Sequence, residues 1–398
     1  MDKPLEWRSL VNIRKLIKEE FSQHEGICQK VFFDIPRRPL EEAQHDGDEN
    51  VSFGAFDDGG QLQSALTILP YTMRVNDQHV KMGGIGNVVT LPEARGKGFV
   101  REIFRAAFSE MIDAGQMFSF LFPFSYVYYR KLGYEMCHPV QMVSIPIDAF
   151  ASYRNGAQFE AYTQGHSTKP FAEIYEGFAQ CRNLSIVRSE DNWKKILNRD
   201  PYHKLQFTYL GSDAYILYDA EKSLEGNRLV IKECCWKTPE ALGDIFGFLS
   251  NMGAEFSHVK WMLPCDVNIH ALFPELYKID WQINSSGMNR IMDVQAALST
   301  LHVPEGSGKI TINVEDSFWK SNSGAYIVEW ESGKLVAKKL QSVVSADLST
   351  TIQTLTQLTT GYLTPEESMY KPCTTILGAY KELAALFPKQ KLFMTERF

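Results

Sequence analysis

Residues 87–112, NVVTLPEARGKGFVREIFRAAFSEMI, hold a strand-like run, a basic glycine turn and a helical stripe in immediate succession, and no other stretch limits the possible folds so closely. Val88, Val89 and Leu91 form a β-branched run ended by Pro92, the pattern of a strand. From Val100 the apolar residues fall at Ile103, Phe104, Ala107, Phe108, Met111 and Ile112, the i, i+3, i+4, i+7 stripe of an amphipathic helix. The turn Arg95-Gly96-Lys97-Gly98 therefore sits at a helix N-terminus. Unsatisfied N–H groups and the helix dipole favour an anion there, glycine lets the backbone approach it, and Arg95 and Lys97 add positive charge. A phosphate is the natural guest. Taken alone, the same turn also suits an ordinary strand-to-helix loop with solvated basic residues.

A chain of 398 residues exceeds what one core supports, so two or three domains are expected. Its formal net charge of −7 argues against a nucleic-acid partner and is compatible with cationic substrates. Seven cysteines form no C-x-x-C pair and are odd in number, which speaks against a disulfide or zinc framework and suits a reducing cytoplasm. No metal is expected either: the nine His residues are scattered and none lies in an H-E-x-x-H arrangement. The first residues, MDKPLEWRSL, contain no apolar leader, and no run is long enough to cross a membrane, so a cytoplasmic protein without membrane contact is expected.

Along the chain, Leu10, Ile13, Leu16 and Ile17 predict a helix over 6–21, and the acidic, Pro-containing segment 36–50 predicts a loop. Residues 51–91 read as successive strands with turns at Asp57-Asp58-Gly59-Gly60 and Asn76-Asp77. MFSFLFP (117–123) reads as a buried strand, and SYVYYRKLGYEM (125–136) as a short helical segment leading through Gly133 into another. Residues 171–198 are helical in period, LQFTYL, AYILYD and RLVIKECCW alternate like strands, and a helix starts at Thr238-Pro239-Glu240. That start has an N-cap, a Pro in first position and an acidic residue, and so repels an anion. From Asn289 the order becomes short helix, three strands (KITINVED, GAYIVEW, KLVAKKL) and further helices.

The order of the first unit and its two motifs resemble the GCN5-related N-acetyltransferase (GNAT) family. That family rests the acetyl-coenzyme A pyrophosphate on a strand-to-helix turn of pattern Q/R-x-x-G-x-G/A, filled here by Arg95-Gly96-Lys97-Gly98-Phe99-Val100, with Val100 replacing the last small residue. The backbone N–H groups from Gly96 to Val100 remain usable. The second motif, YYRKLGY (Tyr128–Tyr134), matches the family's F/Y-Y-x-K-x-G-F/Y element. The middle third looks like a second, cofactor-free copy, and the last third like a sterol-carrier-protein fold. The whole chain resembles the enhanced-intracellular-survival (Eis) type of acetyltransferase. The implied architecture is α+β: a catalytic GNAT domain over 1–145, a GNAT-like domain over 146–287, and a sterol-carrier-like domain over 288–398 whose tail reaches the active site.

Acetyl transfer to an amine needs a bound thioester, a neutral nucleophile and a proton for the departing thiolate. The glycine turn would hold the thioester's pyrophosphate, and the strand end at Val88 and Val89 offers backbone to the pantetheine arm, as the resemblance also implies. Both valines also suit a plain core strand. Tyr129 is the expected proton donor: the family motif places its second aromatic beside the cofactor sulfur, and a phenol of pKa about 10 can donate to a thiolate within a hydrogen bond. Tyr126, Tyr128, Tyr129 and Tyr134 could equally be one aromatic cluster. In the Eis group the chain's terminal carboxylate enters the active site, which would make Phe398 its bearer here, attracting the ammonium and stabilising charge on the attacking nitrogen. Ser125 either hydrogen-bonds the cofactor or caps the next helix. The resemblance further implies acceptors such as aminoglycosides or lysine side chains, direct transfer in a ternary complex, and a homo-hexamer. Two other readings stand beside it: a lipid carrier with a vestigial transferase site, and a scaffold whose assembly is its function.

Overall fold

The computed structural model describes residues 12–32, 37, 39–42, 49–154, 157–198, 206–224, 226–342 and 345–398. Twelve strands form one mixed sheet: β1 (Asn12–Lys15), β2 (Val51–Phe56), β3 (Leu62–Val75), β4 (Gln78–Thr90), β5 (Phe118–Leu121), β6 (Glu135–Pro146), β7 (Glu160–Ala161), β8 (Gln206–Leu210), β9 (Ala214–Glu221), β10 (Arg228–Trp236), β11 (His258–Pro264) and β12 (Asp280–Ile291). Their order is β1-β2-β3-β4-β5-β12-β6-β11-β10-β9-β8-β7. The β4–β5 and β10–β11 pairs are parallel, one in each half, and each is bridged by a helix: α2 (Phe99–Asp113) and α6 (Pro239–Ser250). Such crossovers are what parallel neighbours require.

Helix α2 buries Ile103, Phe104, Ala107, Phe108 and Met111, the stripe its period predicts, against Phe53, Leu66, Ile68 and Ile85 of the sheet. Each such side chain contributes roughly 1.5–3 kcal/mol on burial. Over 6–21 the structure departs from expectation: residues 12–15 are strand β1, paired with β2, and the helix is α1 (Phe21–Val31), while 6–11 lie outside the described residues. The edge of β2 recruits residues 12–15 through backbone bonds, and Arg14 pairs with Glu20 at 2.5 Å across the turn. Tertiary pairing outweighs a local helical period there. Most of the acidic loop 36–50 is also outside the described residues, apart from a 3-10 turn at Leu40–Glu42.

The stretch 171–198 is two helices rather than one, α4 (Lys169–Ala179) and α5 (Glu190–Leu197), the second starting on a Ser189 capping box. Thr238 caps α6 by accepting from the Ala241 N–H, as its sequence predicts. Strand β12 runs to Ile291, past the division at 287/288 expected from sequence, so the helix predicted to follow Asn289 shrinks to α7 (Val294–Leu298). The last region folds on a second sheet, β13 (Ser307–Glu315), β14 (Gly324–Glu331), β15 (Lys334–Lys339), β16 (Leu348–Thr351) and β17 (Thr375–Ile376), in the order β15-β14-β13-β16-β17. Helices α8 (Ile352–Thr359), α9 (Pro365–Ser368) and α10 (Tyr380–Leu386) complete it. Its core, with Ile310, Ile312, Leu348 and Leu355, is continuous with Met82, Phe118 and Phe120 of the large sheet. Among the described residues no helix is long and apolar enough to cross a membrane.

Candidate active site

The site is built where β4 outlasts β5. Parallel pairing stops at Ile85 opposite Leu121, so among the described residues β4 from Gly86 to Thr90 has no strand on that side. On its other side β4 carries a bulge: Gly86 faces Thr67 and Val89 faces Ala65, leaving Asn87 and Val88 against Leu66 alone, with Asn87 at φ 49°. Bulges re-aim the backbone next to active sites. The Val89 carbonyl is turned towards β3, where it accepts from Ser64 Oγ at 2.8 Å. Within this bulge Val88 has no partner in the β3 register. The two valines expected at the cofactor arm thus differ in setting: Val88 sits half-buried in the bulge, whereas Val89 is core, 1% exposed.

At the end of β4 the chain turns through Pro92–Ala94 into Arg95-Gly96-Lys97-Gly98. Gly96 and Gly98 adopt φ 76° and 83°, the left-handed region that disfavours any side chain. A Cβ on Gly96 would meet nothing, so conformation rather than crowding explains the glycine. No side chain caps the start of α2, and Arg95 and Lys97 are exposed and make no ion pair among the described residues. A 15-residue helix start without a side-chain cap, beside two exposed cations, has the electrostatics that favour an anion. Phe99 puts its ring in the core, and Val100 packs half-buried against the same cluster, so both would serve a ligand through backbone N–H groups. Substituting Gly98→Ala forces a strained left-handed alanine, worth about 1–2 kcal/mol. The expected result is a roughly tenfold rise in KM for acetyl-coenzyme A with a smaller change in kcat; a KM within twofold of the parent would remove this turn from the cofactor site.

Across the gap, α3 (Tyr126–Arg130) begins with Ser125, whose Oγ accepts from the Tyr128 N–H at 3.3 Å, the capping alternative. The four tyrosines do cluster, yet their hydroxyls differ. Tyr134 OH bonds Ser119 Oγ at 2.7 Å, and Ser119 Oγ in turn bonds the Gly83 carbonyl at 2.9 Å. The Tyr129 hydroxyl has no hydrogen bond among the described residues. Its ring is 2% exposed and packs edge-on against Phe104, Phe124, Tyr128 and Tyr134. Burial pushes the Tyr129 phenol above its ordinary pKa, with Tyr128 and Tyr134 adding to the rise. It therefore holds its proton throughout the neutral range.

On the opposite face of the sheet lies the end of the chain. The Phe398 ring packs on Tyr71, Phe122 and Phe120 with centroids 5.2, 5.4 and 6.2 Å away. A Cβ on Gly84 would stand 2.7 Å from this ring, and one on Gly86 would stand 3.5 Å from the Phe398 backbone carbonyl carbon. Gly84 and Gly86 of KMGGIGNVV thus form the seat of Phe398, while Gly83 faces Gln116 and Met111 on the other side. The seat is a role missed in sequence although glycine is unusual inside a strand. The tail reaches this seat under continuous guidance. Asn183 N–H donates to the Lys391 carbonyl at 2.9 Å, and Phe393 N–H to the Asn183 carbonyl at 3.0 Å. Met394 N–H donates to His138 Nε2 at 3.1 Å, and Thr395 Oγ1 meets Tyr175 OH at 2.7 Å. Glu396 shares Arg188 with Glu233, both ion pairs at 2.5 Å. Burial, with the nearby Arg397, pushes the His138 pKa down to about 3, so His138 stays the neutral acceptor the tail requires.

Of the residues expected from sequence, Val89 lies in the core and Ser125 caps α3, while the others lie on the two faces of the sheet near the end of β4. The glycine turn and Tyr129 belong to the α2 face, Phe398 to the other, and the unpaired edge of β4 lies between them. Among the described residues there is no group of three His, Cys, Asp or Glu placed to hold a metal ion.

Comparison with known proteins agrees with this arrangement. Residues 12–137 match the model of an acetyltransferase (GNAT) domain, residues 184–291 that of another acetyltransferase (GNAT) domain, and residues 294–395 that of a sterol carrier protein domain. No curated protein matches the chain. Among solved structures it is similar to a GCN5-related N-acetyltransferase from Anabaena variabilis, with 21% identity and a TM-score of 0.83 over 98% of this chain and 100% of that one. A conserved protein of unknown function from Enterococcus faecalis, described as a probable N-acyltransferase, matches with 21% identity and a TM-score of 0.83 over 96% and 97%. Eis1 from Mycobacterium abscessus matches with 19% identity and a TM-score of 0.79 over 98% and 100%. At these identities the likeness is one of fold, and it extends through all three domains.

Proposed function

We propose that this chain, a GNAT acetyltransferase with the tandem-GNAT and sterol-carrier arrangement of the Eis type, transfers acetyl from acetyl-coenzyme A directly to a primary amine in a ternary complex. The observation that carries the reading is the convergence of three independent parts on the β4–β5 gap: the uncapped glycine turn, the unbonded Tyr129 hydroxyl and the seated C-terminus. The turn from Arg95 to Val100 holds the pyrophosphate, and the Val88 backbone pairs with the pantetheine amides. The ammonium, approaching from the Phe398 face, gives its proton to solvent water before the neutral amine attacks the thioester carbonyl. The carboxylate of Phe398 stabilises the positive charge that grows on nitrogen, and the second nitrogen proton, released after attack, passes through water to restore the Tyr129 phenol. Collapse of the tetrahedral adduct breaks the C–S bond, and Tyr129 gives its proton to the thiolate. Burial raises the Tyr129 pKa, so the transfer is uphill and takes place within a hydrogen bond to the nascent thiolate as the C–S bond breaks.

The fitting acceptors are aminoglycoside-like polyamines and lysine side chains, for which a carboxylate facing the acceptor side is an apt electrostatic partner. Cytoplasmic location and assembly as a homo-hexamer belong to the same proposal. The deciding experiment follows free-thiol release from acetyl-coenzyme A with a panel of aminoglycosides, polyamines and lysine peptides. Amine-dependent release with a matching acetylated product is expected; thiol release that no amine stimulates would overturn the assignment.

A further inference from the structure

Arg290 lies at the junction of all three domains. It comes from β12, the last strand of the second GNAT unit, where it pairs with Ser119 of β5. Its side chain is fully buried in the first unit, with Cζ 4.8 Å from the Phe108 ring on α2. Nη1 donates to the Leu132 carbonyl at 2.6 Å, and Nη2 pairs with Asp316 of the sterol-carrier domain. Asp316 is itself held: Oδ1 accepts from the Phe318 and Trp319 N–H groups at 3.1 and 2.9 Å, and Oδ2 from Asn322 Nδ2 at 3.2 Å. Burying a guanidinium is unfavourable unless a counter-charge and hydrogen bonds compensate it, so this arrangement calls for a reason.

The reason is found in what Arg290 touches. Leu132 N–H and Tyr134 N–H both donate to the Tyr129 carbonyl, at 2.9 and 3.2 Å. The Leu132 carbonyl, at the far end of that same turn, is the one Arg290 holds. Between them Gly133 sits at φ 85°, and a Cβ there would fall 1.5 Å from Arg290 Nη1. The glycine of YYRKLGY is thus required both by its backbone conformation and by the passage of the guanidinium. On the sheet side Arg290 stands opposite Ser119, the residue that fixes Tyr134, whose ring packs against Tyr129. Arg290 therefore grips the turn below Tyr129 and lies against the residue that braces Tyr134 above it.

We infer that Arg290 is a positioning residue for Tyr129, supplied by the second domain and neutralised by Asp316 of the third, so that the sterol-carrier domain sets the geometry of proton delivery to the leaving thiolate. This rests on the reading of Tyr129 as proton donor. The test is a double-mutant cycle on the full chain, with Arg290→Lys made in the parent and in Tyr129→Phe, following thiol release at saturating acetyl-coenzyme A and amine. Arg290→Lys is expected to lower kcat at least tenfold in the parent, with KM for acetyl-coenzyme A within twofold because the glycine turn is untouched. In the Tyr129→Phe background the same change is expected to lower kcat less than twofold. Equal losses in both backgrounds, or no loss in the parent, would overturn the inference. If Arg290→Lys does not fold, as judged by its melting curve, Asp316→Asn takes its place in the same cycle. Failure of the proton-donor reading is visible separately, as a Tyr129→Phe enzyme that keeps full kcat.

Discussion

Tyr129→Phe is expected to lower kcat by two to three orders of magnitude while leaving the fold and KM for acetyl-coenzyme A nearly unchanged. Loss of a positioned general acid costs about 10²–10⁴ in rate. The substitution removes one oxygen that has no hydrogen bond among the described residues, so the ring keeps its edge-on contacts with Phe104 and Phe124. Tyr134→Phe is the matched control. Its hydroxyl bonds Ser119 inside the core, so removing it should cost about 1 kcal/mol of stability and, because the ring contact with Tyr129 remains, lower kcat far less than Tyr129→Phe. Stopped-time thiol release and a melting curve on the two variants decide the matter. If Tyr129→Phe keeps kcat within threefold of the parent across pH 6 to 9, the leaving group takes its proton from elsewhere.

Deleting Phe398 is expected to lower kcat/KM for the amine by about two orders of magnitude, with KM for acetyl-coenzyme A little changed. The deletion removes the ring from its seat on Gly84, Tyr71 and Phe122 and withdraws the carboxylate from Gly86. Two comparisons separate anchor from charge. Phe398→Ala retains a terminal carboxylate but loses the ring, and its deficit should fall between parent and deletion. Gly84→Val fills the seat without touching the tail, and should resemble the deletion in its effect on the amine. Full activity in the deletion would assign charge stabilisation on the attacking nitrogen to another group, and full activity in Gly84→Val would show that the seat is immaterial.

What can be read from the residues is what is local. The glycine turn announces itself because its period change, its left-handed glycines and its bare helix start occupy adjacent positions, from Val88 to Val100. YYRKLGY is legible for the same reason, and so is the Thr238 cap of α6. The hidden parts depend on residues far apart in sequence. Gly84 looks like a misplaced strand glycine until the Phe398 ring is found above it. Arg290 opens what reads as a short helix and Asp316 closes the strand KITINVED, and nothing near either residue signals that the other will meet it in a core. Residues 12–15 kept a helical period but were claimed by the edge of β2. The break between α4 and α5 was masked by apolar residues at Leu184 and Ile186, which face the tail and the third-domain core rather than one helical stripe.

The interleaving of β12 has a consequence for the order in which the molecule can assemble. Between β5 and β6 the sheet is closed by residues that belong, in sequence, to the end of the second GNAT unit. A nascent chain that has only reached residue 145 lacks that strand, and β5, with four residues, would have β4 alone beside it. Bringing Asp280–Ile291 back closes a loop that spans the whole second unit, a contact of high sequence separation that is entropically costly and kinetically late. The usual vectorial rule, in which the N-terminal domain is finished first, does not hold here. The strands that flank the cofactor gap are completed only when the second unit has folded far enough to deliver β12, so the first two units mature together as one cooperative body.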